Sequence, residues 1–168
     1  MSLEIETQKL IALFNAGNYA ELEKRARRIT LKYPAAGMIW MILGACLEEQ
    51  EKDGLPAFTR AATFMPQSAE AHNNLGMALE RRGRLGEAEQ CFRKVVRLDA
   101  SFAMAYCNLG DVLHAQDKVQ EAIESYSRAI ELAPGLAMAH NNLGTVLRDI
   151  GQFQRAQECF RRALEIDP

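Results

Sequence analysis

Leu75-Gly76, Leu109-Gly110 and Leu143-Gly144 recur every 34 residues, and three further landmarks keep the same register. Ala88, Ala122 and Ala156 are one, Phe92, Tyr126 and Phe160 another, and Pro66, Ala100, Pro134 and Pro168 a third. A fixed period of this length is the signature of stacked copies of one supersecondary unit, none of which can bury its apolar face alone. It constrains the chain more than any local motif does. It also turns the question of function into one about the surface that the stack presents.

Within one period, Ala71, Leu75, Gly76, Ala78 and Leu79 give a helical apolar pattern through about Arg82. Gly83 ends that helix and Arg84-Leu85-Gly86 forms the turn. Ala88, Phe92, Val95, Val96 and Leu98 then mark a second helix, closed at the position where other periods carry proline. Each period therefore predicts a hairpin of two antiparallel amphipathic helices, here called helix A and helix B. Gly76, Gly110 and Gly144 fall mid-helix, where glycine costs about 1 kcal/mol relative to alanine. That cost is tolerable where helices approach closely, with Ala88, Ala122 and Ala156 expected as the facing residues. Phe92, Tyr126 and Phe160 are expected to fill the space between successive hairpins.

These residues resemble the tetratricopeptide repeat. Trp40, Leu43-Gly44, Leu47, Phe58, Ala61 and Pro66 carry its pattern in one period. Tyr106, Leu109-Gly110, Leu113, Ala122, Tyr126, Ala129 and Pro134 carry it in another, and His140, Leu143-Gly144, Leu147, Ala156, Phe160, Ala163 and Pro168 in the last. The resemblance implies an all-α fold, an α–α superhelix (solenoid) of five helix–turn–helix hairpins forming a single domain over residues 1–168. The repeats are expected at about 1–34, 35–66, 67–100, 101–134 and 135–168. The first is degenerate, with Lys9-Leu10 in place of Leu-Gly. The second is two residues short, the loss falling near Lys52-Asp53-Gly54 with Gly54 in place of alanine, so a tight, altered turn is expected there.

A net charge of −2 gives no global attraction to nucleic acid or an anionic membrane. The longest uncharged stretch, Tyr33 to Leu47, is too short to span a bilayer. Cys46, Cys91, Cys107 and Cys159 form no metal-like spacing and are expected to be reduced thiols in a cytoplasmic protein. No phosphate loop, metal motif or catalytic triad is present, so no enzyme activity and no cofactor are expected. His72 and His140 sit at the large-residue position of Trp40 and Tyr106, where packing explains them, and His114 near Asp117 reads as a helix-end pair.

The stack is expected to present its A helices on a concave face. Asn74, Asn108 and Asn142 occupy one position there, each immediately before Leu-Gly. A carboxamide both donates and accepts, so a ladder of them can hold the backbone of an extended peptide. The arrays of O-linked N-acetylglucosamine transferases carry such a ladder, and the Asn-Asn-Leu-Gly units are similar to it. The competing reading is that these asparagines are solvated, or inherited by duplication. Asn73 and Asn141 stand beside the ladder, Met104 and Met138 recur near the start of helix A, and Asp111, Arg148 and Asp149 are expected to add charge selectivity. In the second repeat Met41, Ile42 and Ala45 replace polar groove residues, which suits an apolar side chain or a cover from the first hairpin.

On helix B, Glu124–Arg128 and Glu158–Arg162 are expected to form outer-face ion pairs. The expected function is protein–protein interaction, with a protein or peptide segment bound in the groove and no nucleic-acid or membrane partner. The resemblance to N-terminal arrays of bacterial glycosyltransferase-like or sulfotransferase proteins implies a substrate-recruiting module of a longer chain. A self-assembling scaffold is the alternative, because the sequence stops at Pro168 without a polar capping helix and its last hairpin would then mediate homo-oligomers.

Overall fold

The computed structural model describes residues 2–168, and ten α-helices account for its regular structure. They are α1 (Leu3–Asn15), α2 (Tyr19–Lys32), α3 (Gly37–Glu49), α4 (Leu55–Phe64), α5 (Ala69–Glu80), α6 (Leu85–Leu98), α7 (Ala103–Ala115), α8 (Val119–Leu132), α9 (Ala137–Asp149) and α10 (Phe153–Ile166). The chain divides into two compact units, one ending at Ala78 and one running from Leu79 to Pro168, so the boundary falls in the last turn of α5. In the N-terminal unit α1 packs on α2, α2 on α3 and α3 on α4, with α1 also touching α3. In the C-terminal unit α6 through α10 pack in chain order, and the A helices α7 and α9 lie side by side.

Each unit has its own apolar interior. Leu10, Leu22, Ile39, Leu43 and Cys46 are almost fully buried in the first, and Phe92, Val95, Val112, Tyr126 and Val146 in the second. At Gly44, Gly110 and Gly144 the nearest neighbours are the aromatics of their own hairpins. A Cβ on Gly44 would stand 2.7 Å from Phe58 Cδ1, one on Gly110 2.5 Å from Tyr126 Cε1, and one on Gly144 2.8 Å from Phe160 Cε1. The ring of helix B lies against helix A, and only glycine leaves room for it. The ring therefore seals its own hairpin, and that of Tyr126 also borders Asn142 and Thr145 of the next one.

The short second hairpin is altered, but its turn is not tightened. Residues 50–54 join α3 to α4, whereas 116–118 join α7 to α8, and α4 has 10 residues where α8 has 14. The deletion is absorbed by the first turn of helix B. Pro56 then opens α4 where a missing N–H costs nothing. Gly54 is required because a Cβ there would lie 2.5 Å from the carbonyl oxygen of Gly44.

One residue in each hairpin turn is left-handed: Gly17, Gly83 and Gly151 in three turns, but Glu51 and Asp117 in the other two. Those two turns carry a second device. Glu23 on α2 accepts from Lys52 Nζ at 2.7 Å, Gln50 Nε2 at 3.2 Å and Arg27 Nε at 2.9 Å. Glu89 on α6 accepts from Lys118 Nζ at 2.6 Å, Gln116 Nε2 at 2.9 Å and Arg93 Nε at 2.9 Å. Each unit thus contains one carboxylate on helix B that staples the turn of the following hairpin.

The ring nitrogens at the large-residue position close the preceding loop. Trp40 Nε1 donates to the carbonyl of Pro34 at 2.7 Å. His72 Nε2 stands 3.2 Å from the Pro66 carbonyl and His140 Nε2 3.0 Å from that of Pro134. A carbonyl only accepts, so both imidazoles carry their proton on Nε2. These histidines are structural, as their position in the repeat suggests.

Candidate functional site

The A helices supply most of the lining of an opening in each unit. In the N-terminal unit Ile11, Phe14 and Asn15 of α1, Met41, Ile42 and Ala45 of α3, and Asn74 of α5 surround a space of about 190 Å³. Its wall is almost wholly apolar, with the carboxamides of Asn15 and Asn74 at its polar positions. The first hairpin therefore borders the Met41–Ile42–Ala45 patch and leaves it open. Asn73, next to Asn74, is buried and donates to Met77 Sδ at 3.4 Å.

In the C-terminal unit Asp111, His114 and Ala115 of α7, Tyr126 of α8, and Asn142 and Thr145 of α9 line a space of about 270 Å³. Asp111 is its centre. Its Oδ1 accepts from Tyr126 Oη and from Asn142 Nδ2, each at 2.7 Å, so one carboxylate oxygen ties three helices together. Burial pushes the Asp111 carboxyl above its usual range, against the pull of those two donors. Glu80 is raised as well, by burial and then by the negative charge of Asp111. Burial and the same carboxylate also hold the Tyr126 phenol far above its ordinary value, so it remains a donor at every physiological pH. Burial pushes the Cys107 thiol up to about 12, which keeps it protonated and unreactive.

The recurrent asparagines do not present one uniform face. Asn108 is only 9% exposed, while Asn142 is half-buried and spends its amide N–H on Asp111. Asn141 is exposed and donates to Asn142 Oδ1 at 3.4 Å. Arg148 and Asp149 are brought together, with Arg148 Nη2 3.1 Å from Asp149 Oδ1. The other oxygen of Asp149 faces His114 Nε2 at 3.5 Å. His114 thus reaches across to α9 rather than pairing with Asp117, whose backbone is committed to the left-handed turn. Met104 is half-buried, whereas Met138 is 41% exposed and lines a third opening with Ala137, Asn141, Phe160, Ala163 and Leu164.

On the outer helices, Arg128 pairs with Glu131 at 2.8 Å and Arg162 with Glu165 at 2.9 Å, not with Glu124 and Glu158 as the spacing suggested. Exposed pairs of this kind are worth a few tenths of a kcal/mol in either direction, about 0.5 at most. The choice between two neighbouring glutamates is therefore not fixed by sequence. No group of three or more metal-ligating side chains occurs among the described residues. None of the helices among the described residues is long and apolar enough to cross a membrane.

Asp111 and its neighbours were the less legible part of this site. The sequence marks Asp111 as a charged groove residue, but the core position of Tyr126 does not by itself show that its hydroxyl reaches Asp111. A signal existed: tyrosine stands where the equivalent positions carry Phe58, Phe92 and Phe160, and only this repeat pairs a hydroxyl with an acid just after Leu-Gly.

Solved structures with the same fold include a MamA protein, with a TM-score of 0.87 and 21% identity over 99% of this chain and 95% of that one. Another is YrrB, described as a TPR protein with an unusual peptide-binding site, with a TM-score of 0.81 and 19% identity over 95% of this chain and 83% of that one. A third is PilF of Pseudomonas aeruginosa, with a TM-score of 0.86 and 16% identity over 98% of this chain and 76% of that one. Identities this low speak to fold alone. Comparison with curated protein sequences finds no significant match. Tetratricopeptide-repeat family models match residues 69–102 and 101–168, which together with the ten-helix fold and the packed Leu-Gly and aromatic positions places the chain in the tetratricopeptide-repeat family.

Proposed function

We propose that the chain is a protein-interaction scaffold whose A helices receive a segment of a partner protein. The observation that carries this reading is the shared register of the two openings. Ile42 and Asn142 hold the position just before Leu-Gly, Ala45 and Asp111 the position just after it, and both openings are built on those positions. Concave sites with a few convergent polar groups are where proteins take ligands. The N-terminal opening suits an apolar side chain and the C-terminal one a polar side chain. Asn74 and Asn142 serve the backbone of the bound segment, with Asn141, Met104 and Met138 nearby in the repeat, while Asp111, Arg148 and Asp149 set its charge; Asn73 and Asn108 are buried and support the wall. A fold shared with a protein described as having a peptide-binding site supports the same reading. Recruitment of a substrate protein for a glycosyltransferase-like catalytic domain is the setting that the asparagine recurrence suggests.

The test is selection of displayed random peptides on the full chain, followed by affinity measurement with Asn74→Ala/Asn142→Ala. Asn108 is left intact because it is buried. A loss of about tenfold or more is the expected outcome, with the fold retained at a cost of about 1–2 kcal/mol for the missing Asn142–Asp111 bond. Unchanged affinity for every selected peptide would remove the asparagines from the binding surface.

A further inference from the structure

We infer that the opening at Asp111 is a subsite for a lysine or arginine side chain of the bound segment; the inference rests on the peptide-binding reading above. Both hydrogen bonds to Asp111 converge on Oδ1 and come from neutral groups, Tyr126 and Asn142. Its second oxygen receives neither. Several carboxylates of the same unit have a basic partner: Glu89 has Lys118 and Arg93, Glu121 has Arg93, Glu131 has Arg128, Asp149 has Arg148 and Glu165 has Arg162, whereas Asp117, Glu124, Glu158 and Asp167 have none among the described residues but are exposed to water. No lysine or arginine is paired with Asp111 among the described residues. The charge beside it is another negative one, Glu80.

The groups around Asp111 are Glu80, Cys107, His114, Tyr126 and Asn142, with Arg81 acting on Glu80. His114 is the cationic candidate, and its Nε2 is directed to Asp149. A half-buried carboxylate without a countercharge is costly, and an occupant that supplies the charge offsets that cost. An anion is repelled by Asp111 and Glu80 together. A metal ion finds too few ligands, since no group of three ligating side chains forms there. An ammonium or guanidinium group meets acceptors on the same wall: the free oxygen of Asp111, the Asn142 carboxamide oxygen, and Thr145 Oγ1, whose own proton goes to the Asn141 carbonyl.

The subsite predicts a pH dependence of known sign. A cation is bound by the ionised carboxylate, and burial raises the pKa of Asp111 in the free protein. Preference for a basic side chain is therefore full above that raised value and is lost as pH falls through it.

The experiment uses libraries of acetylated, amidated peptides with one position fixed as lysine, arginine, glutamine or norleucine, each measured against the full chain. Lysine and arginine pools are expected to bind about tenfold tighter than glutamine and norleucine pools at one position. Asp111→Asn, whose oxygen still accepts from Tyr126 and Asn142, is expected to erase that preference and leave the norleucine pools within about twofold. Should that variant fold poorly, the pH profile of the wild-type chain reads the same charge. Peptide binding without any preference for basic residues overturns the subsite alone. So does a preference that survives both Asp111→Asn and acid. Failure of every pool to bind overturns the peptide-binding reading with it.

Discussion

The N-terminal and C-terminal units share a staple and differ in what they leave open. In both, a glutamate on helix B gathers a lysine and a glutamine from the next turn and an arginine from its own helix. In both, the residues around Leu-Gly line an opening. Yet the N-terminal opening is walled by Ile11, Phe14, Met41, Ile42 and Ala45, and the C-terminal one by Asp111, His114, Tyr126, Asn142 and Thr145. The repeat frame holds hairpins together through positions that face inward. It leaves the outward positions of helix A free to diverge, because their identity barely affects packing. One scaffold can thus carry two chemistries.

The largest expected effect falls on the hairpin that departs from the pattern. Gly54→Ala places a methyl against the Gly44 carbonyl and the Glu48 side chain, and the backbone oxygen cannot step aside. A loss of about 2–4 kcal/mol is expected in urea unfolding, whereas Ala122→Gly, at the matching position of the C-terminal unit, is expected to cost only about 1 kcal/mol. Equal costs would mean that the short hairpin is not built on that close approach.

A hydroxyl swap addresses the openings directly. Tyr126→Phe leaves Asp111 with one donor and is expected to destabilise the C-terminal unit by about 1–2 kcal/mol. Phe58→Tyr is expected to cost about 1–3 kcal/mol in the N-terminal unit, because Ala45 stands where Asp111 would accept the proton. Hydrogen exchange resolved to each unit checks both, and an unaffected Phe58→Tyr would erase the contrast.

The smallest effect concerns the staples. Burial pushes Glu89 upward, but the bonds from Lys118, Arg93 and Gln116 outweigh it and hold the carboxyl at about 2. Its folded pKa lies below its unfolded one, so the stability it supplies is present above the unfolded pKa. That stability is lost as pH falls from about 4.5 toward 2. The bond from Lys52 leads the lowering at Glu23, against the cost of burial, so the N-terminal unit loses stability in the same direction. Each staple is worth on the order of 1–2 kcal/mol. Glu89→Gln should flatten the acid limb of unfolding in the C-terminal unit only.

Hairpin positions were readable because Leu-Gly, alanine and the aromatic recur at a spacing that only a helical pair satisfies. The partners of those residues were not. The spacing points Gly110 to an alanine, yet the ring of Tyr126 is its nearest neighbour, since a period fixes which residues are buried without saying which of them touch. The two-residue deletion near Gly54 was visible, but whether turn or helix absorbed it depended on Pro56 and on the Gly44 carbonyl, which meet only in the fold. At the candidate site the recurrence of Asn74, Asn108 and Asn142 was plain. Their unequal exposure, and the capture of Asn142 by Asp111, arise from neighbours on other helices.

By itself the sequence determined a stack of helical hairpins, because burial of a periodic apolar face has one repeating solution. Only the tertiary structure decided which polar groups are spent within the protein and which remain for a partner. Hydrogen-bond pairing depends on distances of a few tenths of an ångström between helices that the period alone does not set. Asp111 is where the two meet: the repeat places it beside Leu-Gly, and its neighbours make it a half-buried carboxylate held by neutral donors alone.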